Sequence, residues 1–405
     1  MKLKFAVFLS LVATLSFADE RVALWKKGNI PDFQAHQIAA TSEETKVSGF
    51  KASEHTMPYL SWYKEPKVKN GGCMLLISGG GYFGCVDGYW IDIVAKKFTE
   101  LGFVCVSLTY RTPRPEGLPI HQTAWEDGQR AVRLVRADAK KRGYDPEKIG
   151  VFGFSAGSHL TMLLATSALT PAYAPIDAID NIPCHVNWAI PIYTAYALTD
   201  GLTGANTRDG DAIDVKLSDV FKFDEKTCPM ALFHGGTDIY SPNASTQIYR
   251  QLRRMKIPAE IHLFADRNHG FMGDMNKGED GTAYDHWFDR IEEFVRQMNF
   301  DGRLGEEVEL MSRYPSDDAR GNYEKEAVWA EGAMPDVQTD QCQPYIEWHF
   351  PKELKTKAIQ IIYSGGSYMG NSPDDFEVAP TRRFLNEKGM TVVTLKYRTP
   401  RPKDG

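Results

Sequence analysis

A serine set between two glycines is the first arrangement in this sequence that could do covalent chemistry. Gly153-Phe154-Ser155-Ala156-Gly157 lies between an apolar run and a helical pattern. A serine hydroxyl attacks only when it stands clear of the backbone beside a base. A sharp strand-to-helix turn meets the first condition, and the glycines leave room for it. A base and an orienting acid follow downstream. Asp238 ends the run His234-Gly235-Gly236-Thr237-Asp238, and His269 sits in Arg267-Asn268-His269-Gly270-Phe271. His269 is the candidate general base on Ser155. Asp238 is the candidate group that fixes its tautomer and stabilises the imidazolium. Asp266 competes for the acid role, while His121, His159, His185 and His262 read as structural or surface residues. Upstream stands Ser78-Gly79-Gly80-Gly81-Tyr82. Backbone N–H groups at Gly80, Gly81 and Tyr82, with that of Ala156, would receive an oxyanion. The same glycines make a poor dinucleotide site, because no G-x-G-x-x-G turn opens directly into a helix.

The elements that must position these residues are legible as an alternation. Short apolar runs at 73–78, 103–109, 149–154, 187–193, 230–234 and 259–264 read as buried strands. Patterns at 90–101, 124–142, 156–167, 244–255 and 284–298 read as helices. Strands alternating with helices imply a mostly parallel sheet covered on both faces, with function at the carboxyl ends of its strands. The segment 194–227, rich in Asp, Gly and Thr, is long for a simple connection. It is expected to form a cap or rim after the strand ending near Tyr193.

Composition bounds the rest. In 405 residues there are 47 Lys+Arg and 53 Asp+Glu, a formal net charge of −6, with 42% hydrophobic residues. These values describe a globular chain, and a mildly acidic one lacks the basic footprint that nucleic acid needs. Lys2 and Lys4, the apolar run to Phe17, and small residues at Ser16 and Ala18 form the pattern of a secretory signal over 1–18. The expected location is therefore outside the cytoplasm, periplasmic or secreted. Six cysteines show no zinc spacing, and no metal or cofactor is expected. Cys73 and Cys105 read as core. Cys184 and Cys228 each precede a buried strand, and an oxidising compartment would allow a disulfide between them.

An internal repeat sets the domain plan. Tyr110-Arg111-Thr112-Pro113-Arg114-Pro115 recurs as Tyr397-Arg398-Thr399-Pro400-Arg401-Pro402, and Ser78–Gly84 faces Ser364–Gly370. Trp25 to Asp32 likewise faces Trp329 to Asp336. The expected boundaries are 1–18 (signal), 19–300 (first domain), 301–325 (linker) and 326–405. The last reads as the opening third of a second copy, with two or three strands, and the chain as a fragment of a longer tandem protein.

Taken together, residues 58–300 resemble the α/β-hydrolases, in particular the esterase/lipase group with acetyl esterases, hormone-sensitive-lipase-like enzymes and acetyl xylan esterases. The resemblance rests on Gly79–Tyr82, Tyr110-Arg111, the Ser155 turn with Ser158-His159-Leu160, the Asp238 loop and His269-Gly270-Phe271. It implies a Ser155–Asp238–His269 triad and an oxyanion hole around Gly80, Gly81, Tyr82 and Ala156. Lipase-like members often carry His before the glycines. Here that residue is Ser78, which is closer to the sugar-deacetylating members. The implied activity is hydrolysis of short-acyl esters, with plant polysaccharide as one substrate. Trp90 and Tyr110 are candidate substrate contacts. Trp62, Trp125 and Tyr82 could also stack on a sugar ring, although core packing suits most of these aromatics. Two rivals remain: a secreted serine peptidase of the prolyl-oligopeptidase type, and a non-catalytic hydrolase-like module, which the second copy fits better.

Overall fold

The run Cys-Met-Leu-Leu-Ile has no polar residue, and only a strand covered on both faces can carry it. The computed structural model describes residues 18–34, 57–85, 89–212, 214–271, 287–302, 323–329, 344–363, 365 and 378–397. The chain divides into two units, Met1–Leu304 and Gly305–Gly405. In the first, strands β1 (Ala18–Ala23), β2 (Tyr59–Tyr63), β3 (Cys73–Ile77), β4 (Val104–Thr109) and β5 (Ile149–Phe154) share one sheet with β6 (Trp188–Ile192), β10 (Met230–Gly235) and β11 (Ala259–Phe264). Their order is β1-β2-β4-β3-β5-β6-β10-β11. The six strands from β4 to β11 are parallel, and β2 and β1 join the β4 edge antiparallel. The mostly parallel sheet is as expected. The antiparallel pair was not, since Ala-Asp-Glu-Arg-Val-Ala and Tyr-Leu-Ser-Trp-Tyr lack a long apolar run.

Side chains alternate across the sheet. Leu75, Ile77 and Val151 pack with residues of α2 (Gln122–Arg142), α3 (Ala156–Thr166) and α4 (Asn243–Arg254). Met74, Leu76 and Phe152 face the other way, onto α1 (Tyr89–Glu100) and α5 (Trp287–Gln297). Helix α2 stops at Gly143, whose positive φ lets its N–H return to the Ala139 carbonyl.

The expected cap after Tyr193 is a small antiparallel sheet of β7 (Leu198–Asp200), β8 (Asn206–Thr207) and β9 (Val215–Leu217), ordered β8-β7-β9. In the second unit, β12 (Tyr323–Ala327), β13 (Tyr345–His349), β14 (Ile359–Tyr363), α6 (Val378–Glu387) and β15 (Thr391–Lys396) form a sheet ordered β12-β13-β15-β14. That is the order β1-β2-β4-β3 of the first unit, with the same antiparallel, antiparallel and parallel pairings. It has four strands where two or three were expected, again because the first pair is polar in sequence. The linker expected over 301–325 is corrected at its end, where 323–325 are already strand. Residues 1–17 of the expected signal (1–18) and most of the expected linker lie outside the described residues, and Ala18 is the first residue of β1.

Candidate active site

Ser155 stands between β5 and α3 at φ 59°, ψ −123°, a left-handed conformation that a non-glycine residue adopts only when its surroundings force it. Its N–H donates to the Ile192 carbonyl at 3.1 Å. The flanking glycines have a steric cause. A Cβ on Gly153 would lie 2.3 Å from Thr161 Oγ1, and one on Gly157 would lie 2.3 Å from the Ser78 carbonyl oxygen. The turn and the loop after β3 thus touch at backbone distance.

Asp238 and His269 meet the serine from the loops after β10 and β11. Ser155 Oγ is 2.7 Å from His269 Nε2. His269 Nδ1 is 3.0 and 2.9 Å from the two Asp238 oxygens. A carboxylate only accepts, so Nδ1 carries the proton and Nε2 accepts from the serine hydroxyl. The Asp238 side chain is fully buried, and the Tyr240 N–H donates to it at 2.8 Å. Rings of Tyr193 (4.9 Å) and Tyr240 (5.0 Å) flank the imidazole. Asp266 is exposed, with Arg267 3.6 Å away, and takes no part in this geometry. His234 is buried beneath the Asp238 loop, bonded to Ser245 Oγ and the Tyr240 carbonyl, and burial lowers its pKa.

Gly80, Gly81 and Tyr82 take φ of 129°, 64° and 62° in succession, which curls the loop after β3. A Cβ on Gly80 would fall 1.9 Å from the Gly84 carbonyl oxygen. Gly79 approaches Ser155 so closely that its own Cβ would lie 3.0 Å from the serine Cβ. Ala156 opens α3, where the first N–H groups have no acceptor inside the helix. The predicted oxyanion residues are therefore on segments adjoining Ser155.

The side chains on this loop differ from expectation. Tyr82 is buried, and its phenol oxygen is 2.8 Å from His159 Nδ1. Burial pushes the Tyr82 pKa up and the His159 pKa down, which keeps both neutral. Tyr110 is corrected as a substrate contact: it is fully buried, and its hydroxyl donates to the Ser78 carbonyl at 3.0 Å. Trp90, on α1, is half-buried and packs against the core cluster that holds Phe98, Phe152 and Tyr193. Trp62 and Trp125 are buried. Cys184 and Cys228 are free thiols in the structure; Cys184 Sγ donates to the Ala168 carbonyl at 3.3 Å. Sequence reasoning missed Tyr193, Tyr196 and Tyr240. Tyr196 Oη donates to the Gly81 carbonyl at 3.3 Å. Only the position of Tyr196 at the start of the long 194–227 segment could have marked it.

A mostly parallel sheet with this turn, the assembled Ser–His–Asp geometry and the curled glycine loop together make the α/β-hydrolase fold with a site of the serine-hydrolase type. Residues 61–174 match the BD-FAE family model and residues 120–293 that of the prolyl oligopeptidase family. The chain is 31% identical over 232 residues to endo-1,4-beta-xylanase B of Butyrivibrio fibrisolvens, covering 55% of this chain and 36% of that protein. It is 38% identical over 106 residues to esterase LipQ of Mycobacterium tuberculosis, covering 26% of this chain and 24% of that one. The chain therefore spans little more than a third, or less, of these curated relatives. Among solved structures, it is similar to an acetyl ester-xyloside bifunctional hydrolase from Caldicellulosiruptor lactoaceticus. That likeness has a TM-score of 0.53 at 22% identity and covers 71% of this chain and 98% of that one.

Proposed function

We propose that the first unit is an exported serine carboxylesterase that removes short, acetyl-like acyl groups, with acylated plant polysaccharide as one substrate. The observation that carries this reading is the 2.7 Å Ser155–His269 contact backed by buried Asp238 beside the glycine loop. Ser155 Oγ attacks the ester carbon while His269 Nε2 takes its proton. The oxyanion is received by N–H groups of the Gly80–Tyr82 loop and Ala156. His269 then returns the proton to the leaving alcohol, and an acyl-Ser155 ester remains. Water, deprotonated by His269, attacks that ester and frees the acid and the serine. Similarity to LipQ, named as an esterase, and to an acetyl ester hydrolase supports ester chemistry. The 1–18 pattern supports export. The second unit, with its repeated strand order, is read as a partial second copy.

The test is hydrolysis of 4-nitrophenyl acetate, butyrate and octanoate by the full chain and by Ser155→Ala. Serine-dependent turnover that falls with acyl length is expected. Turnover unchanged in the variant would refute the assignment. The match of residues 120–293 to the prolyl oligopeptidase family favours one second reading, a serine peptidase. A peptide 4-nitroanilide cleaved faster than the acetate ester would replace the esterase reading with it.

A further inference from the structure

Between His269 and the glycine loop the site has an aromatic wall that ends in two guanidiniums. Tyr240 lies beside the His269 ring, and Tyr196 lies 5.4 Å from Tyr240, ring to ring. Tyr196 continues the wall to Gly81 through its hydroxyl. At the Tyr240 end, the Arg208 guanidinium stands 4.8 Å over the ring and Nη2 donates to the phenol oxygen at 3.3 Å. At the Gly81 end, the Arg114 guanidinium stands 3.8 Å over the Phe83 ring. Phe83 and the Tyr196 hydroxyl close on one point, 3.3 and 3.4 Å from where a Gly81 side chain would begin. Burial and then Tyr240 hold the Tyr196 hydroxyl above its usual range, and the Arg114 and Arg208 charges both pull against them. Both cations therefore act on the same tyrosine.

Arg208 comes from the inserted small-sheet segment and is exposed. Among the described residues no carboxylate pairs with it. The neighbouring acids are engaged elsewhere: Asp209 accepts from the Asp211 N–H at 3.0 Å, and Asp211 from the Asn243 amide at 2.8 Å. His269 must protonate the departing alcohol, and Tyr240, which carries Arg208 on its ring, flanks the His269 imidazole. We propose that Arg208 is a specificity subsite for a carboxylate on the leaving-group alcohol. Its substrates would be esters of acidic alcohols, such as a sugar unit bearing a uronic acid. The proposal rests on the esterase reading and names the substrate class for the same site.

The experiment compares 4-acetoxybenzoate with neutral 4-acetoxybenzamide, each kcat/KM divided by the rate of spontaneous hydrolysis at the same pH. A charge-assisted contact to an exposed guanidinium predicts a preference for the benzoate of about threefold to fivefold. That preference should be lost in Arg208→Gln and in 0.5 M NaCl, and persist in Arg208→Lys, since screening and loss of charge act alike. Thermal melting checks that each variant is folded. No preference in the wild type, or one that survives Arg208→Gln, overturns the subsite. If neither ester is hydrolysed in a Ser155-dependent way, the esterase reading itself has failed, which is a separate result.

Discussion

At the residue scale, Ser155, Asp238 and His269 were legible because each needs a particular type at a particular strand end. Motif and chain order reported that much. Tyr196 and Tyr240 were not legible, because nothing in their local sequence marks a ring that will lie against an imidazole or a glycine loop. Tyr110 was misread for the same reason: a tyrosine after a strand can face substrate or, as here, hold the Ser78 carbonyl from inside the core. Two outcomes follow. Asp238→Asn should replace the carboxylate that fixes the His269 tautomer with an amide whose NH2 can donate to Nδ1, and lower kcat on 4-nitrophenyl acetate by about 10³–10⁴-fold, as similar substitutions do in Ser–His–Asp enzymes. Tyr82→Phe should leave His159 Nδ1 buried without its partner. It should cost about 1–3 kcal/mol in urea unfolding.

At the scale of elements, the apolar runs located β3, β5, β6 and β10 because both faces of each are covered. Strands β1 and β2 escaped notice because they pair antiparallel at an edge and carry mixed residues. Besides the sheet ladder and the core packing of Leu60 and Trp62, a buried ion cluster ties the chain just past β1 to α2. Arg111, after β4, donates through Nε to Asp127 at 3.0 Å and through Nη2 to Glu126 at 2.8 Å, both on α2. Trp25, just past β1, donates to the same Asp127 at 2.7 Å. The Arg111 and Asp127 side chains are fully buried. Removing one member of such a cluster strands the other's charge. Asp127→Ala should therefore lose about 3–5 kcal/mol of stability, read from the denaturant midpoint. Asp127→Asn, which keeps an acceptor, should lose less.

At the scale of the whole molecule, acid should act on stability through buried histidines. Burial holds the His121 pKa down at about 4, and His159, 5.3 Å away ring to ring, is lowered by burial and by His121. Below the ordinary histidine value of about 6.5 the unfolded chain takes up a proton that folded His121 refuses. Stability is then complete above about pH 6.5 and lost as pH falls toward about 4, by up to about 3 kcal/mol for this one group. Urea unfolding at pH 7 and pH 4.5 should show the loss, and His121→Gln should shrink it. His159 should keep part of it.

The contact between Gly157 and the Ser78 carbonyl has a consequence for how this site can vary under selection. Neither residue needs to touch a substrate. Yet in a library of random variants, positions 79, 153 and 157 should tolerate as little change as Ser155. Recovery from a Gly157→Ala lesion would require compensating changes in the strand-end loop around Ser78 rather than near the substrate. Among the described residues the inserted sheet beside Arg208 makes no hydrogen bond to the nucleophile turn; only the segment's first residues do, Ala195 N–H donating to the Ser155 carbonyl at 3.4 Å. New preferences should therefore arise in that segment first, while the catalytic turn stays fixed.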